Sequence, residues 1–242
     1  TISVTDSSIC RNTSVTFTAN VINTGNISTY QWNFGDNATG TGRVVSHTYA
    51  NAGWYDIRLI TTDINGCKDT IIKQHFIRVN GPIANFASSV PGTCLLSAVS
   101  FSDSSVTDGV NPIISWIWNY GDGHIDTLYA PPFQHTYSAP GIYSVTLTVM
   151  DSTGCSNTIT RPSLLTISRP AAIFTTQDTA TCPNRNVTFV NTSTGPGLTY
   201  AWDFGDGGTS AIQNPTHSYA ANGFYTVKLV VVDQYGCTDS LI

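Results

Sequence analysis

Apolar and polar positions along the 242-residue chain alternate in short runs, and no window sustains an apolar period near 3.6. The longest runs are Tyr55, Ile57, Leu59; Tyr143, Val145, Leu147, Val149; and Tyr225, Val227, Leu229, Val231. A period of two puts each set on one face of a strand. A second class of run carries large rings: Tyr30, Trp32, Phe34; Trp116, Trp118, Tyr120; Tyr200, Trp202, Phe204. A third is an apolar pair, Val15 and Phe17, Val99 and Phe101, Val187 and Phe189, always five and seven residues after a cysteine. Further runs cover 71–79 and 159–167. The expected class is all-β with almost no helix.

These runs come in the same order three times, the mark of an internal repeat. The ring-bearing strands end in Gly35-Asp36, Gly121-Asp122 and Gly205-Asp206, which read as tight turns because Gly supplies permissive angles and Asp accepts from turn amides. Then come His47-Thr48-Tyr49, His135-Thr136-Tyr137 and His217-Ser218-Tyr219, with Gly53, Gly141 or Gly223 six residues after each His. The long strands end at Asp63, Asp151 and Asp233, with Cys67, Cys155 and Cys237 four residues on. Seven or so short strands per unit suit an immunoglobulin-like sandwich.

The run Trp-x-Phe/Tyr-Gly-Asp-Gly, then His-Thr/Ser-Tyr, then Gly-x-Tyr-x-Val-x-Leu resembles the polycystic-kidney-disease (PKD) domain in all three units. The first unit has Asn37 where the others have Gly123 and Gly207, and Asn tolerates a left-handed backbone. The expected fold is three tandem immunoglobulin-like (PKD) β-sandwiches arranged head to tail, at 1–80, 81–169 and 170–242. Gly81-Pro82 and Arg169-Pro170 stand at very short joints. The first unit is expected to lack the beginning of its first strand and the third to stop where its closing strand begins, as in a piece of a longer array.

Only 10% of residues are charged and the net charge is -5, with Lys and Arg scattered, so no basic stripe offers itself to nucleic acid. No apolar run reaches the roughly 18 to 20 residues of a membrane span. The balance of apolar, Ser, Thr, Asn and Gly residues suits an extracellular or cell-surface protein.

Each unit repeats Asp, His and Ser in matching places, which invites a catalytic or metal reading. Repetition in every copy argues instead for a fold requirement, and no zinc-ligand spacing, nucleophile elbow or phosphate loop occurs. The expectation is no catalytic residue, no metal and no cofactor. Asp63, Asn65, Gly66 and Asp69 offer calcium-like oxygens, but Asp151 and Asp233 lack the companion carboxamide, which favours an ordinary turn. The ring trios read as core rather than a sugar platform. Trp54, matched by Ile142 and Phe224, reads as a partly buried edge contact. Asn12, Asn26, Asn37, Asn186 and Asn191 form Asn-x-Ser/Thr sequons. The stretches at Asp69-Thr70, Asp126-Thr127, Asp178-Thr179 and Asp239-Ser240, each followed by an apolar residue, resemble the O-glycosylation motif of gliding, type IX-secreting bacteria. That resemblance makes Thr70, Thr127, Thr179 and Ser240 candidate sites.

Six cysteines, two per unit, read as a disulfide framework. Pairing within units joins Cys10 to Cys67, Cys94 to Cys155 and Cys182 to Cys237. The immunoglobulin-like strand order instead puts the first Cys of a unit at its exit end and the second at its entry end. That order favours Cys10 with Cys155 and Cys94 with Cys237, while a kinked first strand would keep the pairing internal.

PKD domains serve as stalks, spacers and adhesive modules, or as accessory modules of secreted hydrolases. A cysteine-bearing array resembles those of large surface proteins and adhesins of gliding bacteria. The resemblance therefore implies a structural and adhesive stalk or filament segment, with an accessory region of a secreted protease or glycosidase as the alternative. Expected partners are neighbouring repeats of the same chain, and surface polysaccharide or other cell-surface proteins.

Overall fold

In the computed structural model, which describes residues 1–22, 26–177 and 179–242, each repeat folds its alternating runs into two facing sheets, with no α-helix among the described residues. The first repeat contains β1 (Ile2–Val4), β2 (Ser8–Cys10), β3 (Ser14–Ala19), β4 (Ile27–Asn33), β5 (Thr39–Thr41), β6 (Val44–Thr48), β7 (Gly53–Asp63) and β8 (Lys68–Asn80). One sheet runs β1-β3-β6 and the other β2-β8-β7-β4-β5. The second repeat, β9 (Phe86–Ser88), β10 (Gly92–Cys94), β11 (Ala98–Asp103), β12 (Ile113–Asn119), β13 (Ile125–Leu128), β14 (Phe133–Thr136), β15 (Gly141–Asp151) and β16 (Ser156–Ser168), has the same two orders. The third has β17 (Phe174–Thr176), β18 (Asn186–Asn191), β19 (Thr199–Asp203), β20 (Thr209–Ser210), β21 (Thr216–Ser218), β22 (Lys228–Val232) and β23 (Thr238–Leu241).

The inward side of every alternating run is the core. Val15, Phe17, Trp32, Phe34, Ile57 and Leu59 are buried in the first repeat, and Val99, Phe101, Trp118, Tyr120, Val145 and Leu147 in the second. The third matches them with Val187, Phe189, Trp202, Phe204, Leu229 and Val231. Interior Phe or Trp to Ala changes of this kind cost about 3–5 kcal/mol.

Long β8 and β16 each carry one left-handed residue, His75 (φ 48°) and Ser163 (φ 49°). Their amides donate to Asp56 Oδ1 (2.7 Å) and Ser144 Oγ (3.0 Å), and the register against β7 and β15 shifts there. Beyond the bulge the strand re-enters the sheet and buries Ile77 and Val79, or Leu165 and Ile167. Its end lies parallel to β2 or β10, with Cys10 opposite Asn80 and Cys94 opposite Ser168. The first Cys of a domain therefore stands at that domain's exit.

Trp54, Ile142 and Phe224 are exposed rather than partly buried; Trp54 is 55% exposed, with the Arg78 guanidinium 5.6 Å above its ring. Trp54 and Ile142 sit second in β7 and β15, and Phe224 lies four residues before β22.

Candidate functional site

Each Gly-Asp turn joins a ring-bearing strand to the next short strand, and each is locked from both sides. Asp36 Oδ1 accepts the Ala38 amide (3.0 Å) and Oδ2 meets His47 Nε2 (2.7 Å). Asp122 does the same with His124 and His135 (2.7 Å), and Asp206 with Gly208 and His217 (2.8 Å). The imidazoles stack on Phe34, Tyr120 and Phe204 at 4.2, 4.0 and 4.1 Å and meet Tyr49, Tyr137 and Tyr219 edge-on. Those tyrosine hydroxyls donate to the carbonyls of Phe34, Tyr120 and Phe204. Carboxylate, imidazole and hydroxyl are thus all spent on holding one hairpin. Buried Trp32 and Trp202 back it, donating their indole N–H to the carbonyls of Gly42 and Ile212. Gly35, Gly121 and Gly205 are required by contact as well as by positive φ: a Cβ there would lie 2.7, 2.3 and 2.5 Å from the carbonyl oxygens of Asp56, Ser144 and Thr226.

Asp63, Asp151 and Asp233 close the turn before the second cysteine. Each Oδ1 accepts two amides, for Asp63 those of Asn65 (2.9 Å) and Cys67 (2.8 Å). Among the described residues no group of three or more His, Cys, Asp or Glu side chains is placed to hold a metal ion.

The joints bring together residues from different repeats. Disulfides join Cys10 to Cys155 and Cys94 to Cys237, each with Cα atoms 5.3 Å apart, inside the usual span. Pairing is across the joints and not within the domains. Cys67 and Cys182 are free and exposed.

At the first joint Arg11 Nε donates to the Gly81 carbonyl (2.8 Å), and Asn111 Nδ2 reaches Asn80 Oδ1 (3.2 Å). Arg78 Nη2 lies 3.4 Å from Asp108 Oδ2, whose side chain is fully buried. At the second joint Ser168 Oγ donates to Asp233 Oδ2, and the Tyr235 ring lies so close over Gly92 that a Cβ there would be 2.3 Å from it. Neither lock showed in the sequence. Arg78, Asp108 and Asn111 belong to two repeats, and their partnership has no repeated spacing to reveal it.

Burial pushes the Asp108 carboxyl up, but hydrogen bonds from the amides of Asn111 and Val110, the Asn111 side chain and the Gly81 amide outweigh it and bring the pKa to about 2. Asp122 is likewise held below its ordinary value. There burial is outweighed by hydrogen bonds from His135 and the His124 amide. Asp206 is lowered chiefly by its hydrogen bond with His217. Folded values below unfolded ones contribute stability that is present above the unfolded pKa and lost as pH falls toward the folded one. The melting temperature should therefore fall between about pH 4 and pH 2, and Asp108→Asn should lower it at pH 7 while flattening the acid slope; calorimetry across that range checks both.

Thr70, Thr127, Thr179 and Ser240 are all exposed, while Asp178, beside Thr179, lies outside the described residues. Asn12, Asn26, Asn37 and Asn186 are exposed, whereas Asn191 is buried, its Nδ2, the atom a glycan would join, included. Asn37 takes φ 74°, close to Gly123 (94°) and Gly207 (90°).

The PKD domain profile matches residues 1–78, 79–166 and 168–241. The pre-pro-metalloprotease PrtV of Vibrio cholerae is 31% identical over 163 residues, covering 66% of this chain and 17% of that protein. Human polycystin-1 is 25% identical over 248 residues, covering 87% of this chain and 6% of its own length. The chain thus spans under a fifth of each of these relatives. The crystal structure of the PKD1 domain of V. cholerae PrtV is 31% identical, covers 37% of this chain and 99% of its own, and has a TM-score of 0.31.

Proposed function

The chain belongs to the PKD domain family, three domains in tandem, and from that premise we propose that it is a non-catalytic structural and adhesive spacer, a stalk or filament segment of a larger secreted or cell-surface protein. The observation that carries the reading is the pair of disulfides, each tying the exit of one domain to the entry side of the next. A hinge between domains needs a free joint; these joints carry a covalent tie, a buried ion pair or a packed ring. Repeated Asp, His and Tyr side chains are meanwhile occupied in holding turns, as a spacer requires. Disulfides also suit an oxidising, extracellular setting. We place the domain limits at 1–80, 81–169 and 170–242. Candidate partners are neighbouring repeats, surface polysaccharide and other surface proteins.

Similarity to PrtV over 163 residues favours a second reading, an accessory region of a secreted hydrolase. Both readings need the same stiff, inert module. Exposed Thr70, Thr127, Thr179 and Ser240 are proposed O-glycosylation positions, which an intact mass equal to that of the bare polypeptide, in protein from the native host, would rule out.

Small-angle scattering tests the spacer. Long strands of 11 residues at about 3.3 Å each give domains of roughly 35–40 Å with loops, so three end to end reach about 110 Å with a radius of gyration near 30 Å. A compact body of this length would give about 18 Å, and that result would remove the spacer reading.

A further inference from the structure

In the first and third domains the connection from β5 to β6, or from β20 to β21, closes one edge of the strand that carries the apolar pair. The Arg43 carbonyl accepts the Ala19 amide (2.8 Å) and the Gly42 carbonyl accepts the indole N–H of Trp32 (2.9 Å). In the third domain Asn214 Oδ1 accepts the Asn191 amide (2.8 Å) and the Ile212 carbonyl accepts the indole N–H of Trp202 (3.0 Å).

The second domain makes neither contact. Between the residue opposite Trp118 and the residue opposite Phe101 its connection is the six residues 127–132, where the siblings have the four residues 41–44 and 211–214. Ser100 and Ser104 bond to Ser89 and Asn85 on one side of β11, so by alternation the Asp103 amide faces the other side, and among the described residues it has no partner. Buried Trp118 Nε1 has none either. The Trp118 ring lies 5.0 Å from Phe86 and 5.3 Å from Phe101, as Trp202 lies 5.0 and 5.6 Å from Phe174 and Phe189, so its N–H points at the same connection.

A groove of about 400 Å³ opens at this edge, lined by half-buried Trp116, buried Phe133, exposed Pro131 and Pro132, and Asp103. Asp103 Oδ1 accepts the Ser105 amide (2.9 Å) and Oδ2 the Trp116 indole N–H (2.8 Å), which fixes the carboxylate and leaves about two of its roughly four lone-pair sites unused. Neither sibling has this pair: Tyr30 and Tyr200 stand for Trp116, and Ala19 and Asn191 for Asp103.

We propose that this groove is a saccharide subsite that takes one pyranose ring of a neutral polysaccharide. A pyranose has the matching chemistry. Its C–H face packs on the Trp116 and proline rings, while one of two adjacent hydroxyls donates to the Asp103 carboxylate and its neighbour accepts from the Asp103 amide. An extended peptide matches less well, since β11 ends at Asp103 and a pairing strand needs a row of free edge groups rather than one. The subsite rests on the spacer reading, whose surface-polysaccharide partner it places on the middle domain; small-angle scattering of the free protein tests the spacer alone, so the two fail separately.

The test titrates the whole 242-residue chain, disulfides intact, with soluble hexasaccharides of β-1,4-linked glucose, β-1,4-linked N-acetylglucosamine and α-1,6-linked mannose, read by amide and indole NMR shifts. Saturable binding of at least one is expected, moving the Asp103 amide and the Trp116 indole and leaving the amides of Ala19 and Asn191 in place. Trp116→Tyr and Asp103→Asn each install the residue of the third domain, and each should weaken binding about tenfold or more with the melting temperature little changed. No saturable binding of any of the three, unchanged affinity in either variant, or shifts centred on another domain would overturn the proposal. Casein moving the same resonances while no saccharide does would show the occupant to be an extended peptide and overturn the choice of saccharide.

Discussion

Reducing the two disulfides is expected to lengthen the fully extended chain about threefold when it is pulled between its ends. In the oxidised protein the force path enters at Thr1, crosses from Cys10 to Cys155, returns along the chain to Cys94, crosses to Cys237 and leaves at Ile242. The two covalent loops overlap, so unfolding all three domains releases only the stretch between Cys94 and Cys155 and the two short ends. At about 3.5 Å per residue that contour is about 270 Å, against about 840 Å when every residue is released. Single-molecule force spectroscopy with and without reductant reads both lengths. Pairing within domains would shield three separate loops and leave a contour of about 250 Å, so the threefold ratio reports the shielding itself and peptide mapping identifies the pairs. The ties also restrict the unfolded chain, which on chain entropy alone amounts to about 5 kcal/mol for a single loop of this size.

The second large effect is local. Gly121→Ala is expected to destabilise the second domain by about 3 kcal/mol or more, because the residue is held at φ 85° and the new Cβ would meet the Ser144 carbonyl oxygen at 2.3 Å. Ser144 sits on β15, in the middle of the core sheet, so relief would require moving that strand. Gly123→Ala is the control: its φ is 94°, but nothing lies within 4 Å of the added carbon, and about 1 kcal/mol is expected. Denaturant titration of the two variants separates contact from conformation. Equal losses would show that the close approach to β15 contributes nothing.

Much of this architecture was legible because its causes are local. Alternation assigns Tyr55, Ile57 and Leu59 to one inward face, and the Gly35-Asp36 turn follows from the two residues themselves. The threefold recurrence of His47, His135 and His217 pointed to a structural use, and the partner aspartates were already in view in the turn. The bulges at His75 and Ser163 were not legible, since neither residue is the Gly or Asn that usually marks a left-handed position. The ion pair of Arg78 with Asp108 was hidden for a different reason: it joins non-equivalent loops of two repeats. Trp54 misled because an apolar residue at the start of a long strand looks the same in sequence whether or not a second layer covers it. For the cysteines, spacing left two pairings open, and the parallel placement of β2 beside the end of β8, which puts Cys10 at the exit, decides between them.

The tie between domains is the centre of this account, and peptide mapping of the oxidised protein without reduction tests it most directly. Digestion between every cysteine should yield one fragment joining Cys10 to Cys155 and another joining Cys94 to Cys237, with Cys67 and Cys182 recovered as thiols. A fragment joining Cys10 to Cys67, or Cys94 to Cys155, would contradict it.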